Sequence, residues 1–135
     1  MSDLNVFDSS VLIDHLRTDC YIQRIADLTG LIRNSSVVLA ELWRGACSAA
    51  EREFLRALEK NYPVLTPTEE NWLESGRILA EIHADRGFEP HKLRDLHFDV
   101  LIALTARSYG ARLIASNRSD FELIRGYRDF MLEVW

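Results

Sequence analysis

Apolar positions along this chain alternate between two spacings, and each change of spacing marks an element. Leu4-Asn5-Val6-Phe7, Pro63-Val64-Leu65 and Leu113-Ile114-Ala115 are short runs with the character of buried strands, and Leu31 to Ser35 can supply another. Between them the spacing is helical. Ser9 and Ser10 open a helix through Val11, Leu12, Ile13 and Leu16, and Tyr21 to Leu28 gives a second, closed by Gly30. Val37 to Ala46 predicts a third, with Ser36 as candidate N-cap and Gly45 loosening its end. Ala49 to Lys60 places Phe54, Leu55 and Leu58 on one face of a solvated amphipathic helix. Thr66-Pro67-Thr68-Glu69 fits a capping box with proline at the first helical position, opening a helix that runs to about Gly87. Arg86 to Arg94, around Pro90, predicts a loop in which Lys92 and Arg94 can touch a phosphate backbone, and Asp95 then caps a central helix. Leu96, Val100, Ile102, Ala103, Leu104 and Ala106 cover so much of that helix that it must be largely buried. Gly110 stops it, Ser119 and Glu122 form a second capping box, and Tyr127 to Trp135 carries enough apolar surface for a final docked strand.

Strand and helix alternate throughout, which predicts an α/β fold: a mainly parallel sheet of four to five strands flanked by helices. No repeat, linker or second composition interrupts the pattern, so the expectation is a single domain over residues 1–135.

Composition changes this picture little. A chain of 135 residues buries roughly two thirds of its unfolded surface without staples. No run approaches the roughly 20 apolar residues of a membrane span, and the first residues do not read as a signal peptide, so the cytoplasm is the expected location. Cys20 and Cys47 read as two reduced thiols. The net charge of -5 counts against a generic nucleic-acid binder. Two features soften that argument: carboxylates loaded with divalent cations are no longer locally negative, and the basic residues are arginine except at Lys60 and Lys92.

Four acids stand where chemistry is usual. In an open parallel sheet ligands bind at the carboxyl ends of the strands. Asp8 follows the first strand and also suits an N-cap; Asp120 lies in the polar loop after Ala115 and also suits a first-turn acid favoured by the helix dipole. Glu41 is the sole charge in Val37-Val38-Leu39-Ala40-Glu41-Leu42-Trp43, either an exposed helix edge or a group reaching the same end of the sheet. Asp99 shares its helical face with Leu96, Ile102 and Ala103, so its carboxylate is set among apolar side chains and calls for a cationic partner. Asp14 and Asp19 read as ordinary solvated acids. If the four acids converge, their like charges raise one another's pKa, and hard divalent cations resolve the conflict; all-oxygen ligation suits Mg²⁺ or Mn²⁺. Such a site polarises a phosphodiester and activates water, which is nuclease chemistry. The chain has no GxxxxGK loop, no GxGxxG turn and no GxSxG elbow, and His15, His83, His91 and His97 make no zinc spacing.

With those positions in hand, the sequence resembles the PIN-domain family over essentially its whole length, and within it the VapC-type toxins of toxin-antitoxin pairs. Asp8-Ser9-Ser10-Val11-Leu12 is similar to the family's opening motif. Leu39-Ala40-Glu41-Leu42 with Arg44-Gly45 is similar to the second, Phe98-Asp99-Val100-Leu101-Ile102-Ala103 to the third, and Asn117-Arg118-Ser119-Asp120-Phe121 to the fourth. The resemblance implies a PIN-like three-layer fold, a homodimer, a small VapB-like antitoxin partner and Mg²⁺- or Mn²⁺-dependent endonucleolytic cutting of RNA. It implies Asp8, Glu41 and Asp99 as metal ligands, with Asp120 completing the site or binding a second ion. Ser9, Ser116 and Asn117 take supporting roles, and Arg44, Arg94 and Arg118 are candidate RNA contacts. One departure matters. The family often has Thr or Ser two residues before the motif Asn, and Ala115 stands there, so a hydroxyl contact to the fourth acid must come from Ser116 or be absent. The rival readings are a non-catalytic scaffold that binds protein or RNA, and a related DNA nuclease.

Overall fold

The computed structural model describes residues 4–135, so the first three residues of the expected domain lie outside the described ones. Strands β1 (Leu4–Phe7), β2 (Leu31–Ser35), β3 (Val64–Leu65), β4 (Arg112–Ala115) and β5 (Leu132–Val134) alternate with seven helices. The helices are α1 (Ser9–Thr18), α2 (Ile22–Ala26), α3 (Ser36–Gly45), α4 (Ala49–Asn61), α5 (Glu69–Arg86), α6 (Pro90–Ser108) and α7 (Arg118–Arg125). All pairings are parallel, in the order β3-β2-β1-β4-β5. The chain therefore winds outward from β1 to β3, then returns to lay β4 on the other side of β1. That reversal opens a crevice beyond the carboxyl ends of β1 and β4, where the acids were expected.

The sheet is held by burial on both sides. Val6, Leu113 and Ile114 fill its centre, and α6 packs Leu96 and every residue from Val100 to Ala106 out of water. Phe121 of α7 meets Phe130 edge to face at 6.5 Å, closing the core below β4 and β5. No helix among the described residues is long and apolar enough to cross a membrane. Cys20 and Cys47 are both free and exposed.

Four helix starts differ from the sequence expectation, each for a local reason. Ser35, not Ser36, caps α3 by accepting from the Val38 amide: the strand runs straight into the helix, and its last extended residue does the capping. The Ser36 hydroxyl instead pairs with Thr66 Oγ1 at 2.7 Å. The capping box of α5 joins Thr68 to Asn71 rather than Thr66 to Glu69, leaving Pro67 ahead of the helix. Asn71 is buried and its amide also donates to Ser108 of α6 at 2.8 Å, so tertiary packing selects this box over the other. Helix α6 begins at Pro90, whose fixed φ suits the first helical position, so the expected loop through Arg94 is helical and Asp95 is no cap. Asp95 pairs instead with His91 at 3.6 Å. Asn117 precedes α7 without a side-chain capping bond, and Glu122 pairs with Arg125 at 2.9 Å in place of the expected box with Ser119.

Candidate metal centre

Pairing of β1 with β4 sets the first acid. The Asp8 amide donates to the Ile114 carbonyl at 2.8 Å, which extends the ladder one residue past β1 and fixes the side chain over the crevice. Asp8 does cap α1, its Oδ2 accepting from the Ser10 amide at 3.3 Å and the Ser10 hydroxyl at 2.7 Å. Capping uses only one oxygen. Oδ1 is buried with no hydrogen-bond partner, in a residue just 2% exposed. Burial pushes the Asp8 carboxyl above the usual range, against the hydrogen bonds from Ser10 that lower it.

Glu41 and Asp99 face the same ground. Glu41, half-buried on α3, receives the Ser9 hydroxyl at 3.4 Å. Burial, then the charge of Asp8, lifts its pKa to about 7, and Arg44 offsets part of this. Asp99, half-buried on α6, is lifted further, to about 8, by burial and then by the charges of Asp8, Glu41 and Asp120. Among the described residues no ion pair supplies the cationic partner that burial calls for, and Lys92 offsets the shift only in part. Asp120, in the first turn of α7, is held from both sides, Oδ1 by Lys92 Nζ at 3.4 Å and Oδ2 by Asn117 Nδ2 at 3.1 Å. Asp99 thus feels the charges of the other three acids, and Glu41 feels that of Asp8. As the side chains stand, no group of three or more His, Cys, Asp or Glu among the described residues is close enough together to hold a metal ion.

Three residues near the acids escaped the sequence reading. The Ser10 hydroxyl donates to Asp8 and accepts from the Ser116 amide at 3.2 Å, tying the end of β1 to the loop after β4. Asp14 is not simply solvated, since the Ser116 hydroxyl donates to it at 3.5 Å. Its position four residues after Ser10 puts it on the same helix face, which was the available signal. The Ser116 hydroxyl therefore does not serve Asp120, whose support comes from Asn117 and Lys92. The third is Lys92 in that role. Arg94 lines a groove with Gly76, Leu79 and His83 between α5 and α6, turned from the acids, whereas Lys92 lies two turns before Asp99 on one face. Arg44 stacks over the Phe98 ring at 5.5 Å beside Glu41, and Arg118 is exposed two residues before Asp120. A groove of about 470 Å³ adjoins the acids, walled by Leu12, Leu16, Leu42, Phe54 and Leu55 with Glu41 at its edge.

The donor set fits a hard cation. Every candidate ligand atom is a carboxylate oxygen, one of them buried without a partner, and the raised pKa values of Glu41 and Asp99 come from burial first and then from neighbouring acid charges that a divalent ion would relieve. Ser10→Ala, by freeing Asp8 from its hydroxyl and from the loop, is expected to weaken Mn²⁺ affinity about 10- to 100-fold, the usual cost of removing such a supporting contact. Calorimetric titration of both proteins checks this, and equal affinities refute it.

A family model described as PIN domain matches residues 6–127. No curated protein matches the chain. Among solved structures, a chain of VapBC2 from Rickettsia felis, bound to a DNA fragment from their promoter, superposes with a TM-score of 0.74 at 20% identity, covering 98% of each chain. VapBC-1 from nontypeable Haemophilus influenzae gives 0.72 at 23% identity, again with 98% of each chain covered. A toxin-antitoxin complex from Klebsiella pneumoniae gives 0.62 at 19% identity, covering 87% of this chain and 89% of that one. At these identities the likeness is one of fold, and it agrees with the five-stranded parallel sheet and its crevice. The match over residues 6–127 spans the ends of β1 and β4 and all four acids, and the chain belongs to the PIN domain family.

Proposed function

We propose that this chain is a divalent-metal-dependent endoribonuclease acting as the toxin of a toxin-antitoxin pair. The observation that carries the reading is the charge coupling of Asp99 to Asp8 and Glu41, with a buried Asp8 oxygen lacking any partner. Asp8, Glu41 and Asp99 would hold Mg²⁺ or Mn²⁺, with Asp120 beside them. Such an ion would supply the chemistry of polarising the phosphodiester and lowering the pKa of a water. The chain's own residues do the rest. Ser9 and Ser10 orient Glu41 and Asp8, Asn117 orients Asp120, and Ser116 locks the β4 loop to α1. Arg44, which stacks over Phe98, and the exposed Arg118 would bind RNA phosphates, a task for which guanidinium is suited.

The partner reading rests on the three similar structures, all described as VapBC or toxin-antitoxin complexes, and on the apolar groove beside Glu41. An antitoxin segment laid in that groove would end next to the acids and cover them. Action as a single domain, a homodimer and a cytoplasmic location belong to the same proposal.

The test is incubation of purified protein with mixed cellular RNA and with single-stranded DNA, in Mg²⁺, Mn²⁺ or chelator. Cutting of RNA that stops with chelator supports the proposal. Preference for DNA removes the ribonuclease assignment, and no cutting by folded protein free of a bound inhibitor leaves a binding scaffold.

A further inference from the structure

Asp120 differs from the other three acids in how its oxygens are used. Lys92 takes Oδ1 at 3.4 Å and Asn117 takes Oδ2 at 3.1 Å, so both already have donors from this chain. Asp8 is the opposite case, with one oxygen buried and unpartnered. Lys92 also reaches Asp99 with its charge, from the same face of α6. Lys92 is the third residue of α6, in a first turn where the helix dipole disfavours a cation. Its ammonium nevertheless leans toward the acids, with its nitrogen 6.0 Å from the centre of the Phe88 ring.

We propose that Lys92 stands in for a second cation: the centre takes one divalent ion through Asp8, Glu41 and Asp99, and the ammonium of Lys92 neutralises Asp120. This rests on the reading of the acids as a metal centre and goes beyond it by fixing the ion count and the division of labour among the carboxylates. A second dication at Asp120 would have to displace Lys92 from Oδ1 and remain beside its charge.

The experiment counts bound Mn²⁺ by electron paramagnetic resonance, in which the sharp signal of free Mn²⁺ disappears on binding. The full chain is compared with Lys92→Met, Lys92→Arg and Asp120→Asn, each checked for fold by circular dichroism. The Lys92 side chain is 44% exposed, so its replacement leaves the core untouched. Wild type, Lys92→Arg and Asp120→Asn are each expected to bind one ion per chain, and Lys92→Met two. Two ions in wild type, a single ion in Lys92→Met, or loss of the ion in Asp120→Asn overturns the proposal. Wild-type protein that binds no Mn²⁺ is a different result, because it removes the metal centre itself and this inference with it.

Discussion

Asp99→Asn is expected to lower the proposed metal-dependent cleavage by at least about 100-fold, the top of the range for losing a mere supporting contact, because the proposal makes Asp99 itself a ligand. Asparagine keeps the shape of aspartate and removes its charge. Asp99 is central to the coupled set: its carboxyl feels Asp8, Glu41 and Asp120 together and is pushed up to about 8, higher than Glu41. The substitution also separates chemistry from folding. In the described structure the Asp99 carboxylate makes no hydrogen bond or ion pair that the fold depends on, and it repels three neighbours. With chelator at pH 8 the variant is therefore expected to melt higher than wild type by roughly 4 °C, equivalent to about 1 kcal/mol in a domain of this size. Cleavage assays and thermal melts on the same preparation read both effects. Full cleavage by the variant refutes the site assignment; a variant that melts lower shows that Asp99 serves the fold.

Without metal, the protein will lose stability as pH rises from about 4 to about 8. The sign follows from the direction of the shifts. Glu41 moves from 4.5 to about 7 and Asp99 from 3.8 to about 8, and Asp8 is raised as well. Between the unfolded and folded values the native state holds protons that the unfolded chain has released, so stability falls with pH in that window. The stabilising contribution is complete below about pH 4 and gone above about pH 8. On the proposed metal centre, divalent ions are expected to reverse the trend at the alkaline end, since only the folded chain would assemble the site. At about 100 times the dissociation constant, a bound ligand adds about 2.7 kcal/mol. Denaturant melts from pH 4 to 9, with chelator and with Mn²⁺, test this. A chelated curve that rises through the window, unchanged by Asp99→Asn, contradicts the electrostatic account of the crevice.

Much of this was legible from one chain. Short apolar runs located four strands, helical spacing located the helices around them, and the alternation gave the parallel sheet. Acids at strand ends then pointed to the crevice, and Asp8 proved to be both the helix cap and a crevice residue, because a carboxylate has two oxygens and the cap needs one. Helix starts were read less well. Several polar residues in a row each satisfy the local rule for a cap, as at Ser35 and Ser36 or Thr66 and Thr68, and packing chooses between them.

Pattern and spacing in the sequence by themselves determined the α/β class, the buried central helix and the choice of the four acids as candidates, since these depend on periodicities and positions within a few residues. The partners of those acids were decided only by tertiary structure. Ser10 meets Ser116 across 106 residues and Lys92 meets Asp120 across 28, and neither pair exists until β1 and β4 are side by side and α6 starts at Pro90. A residue's type and local spacing give its chemistry and its helix face; which charge or hydroxyl faces it depends on contacts that form only when distant elements pack.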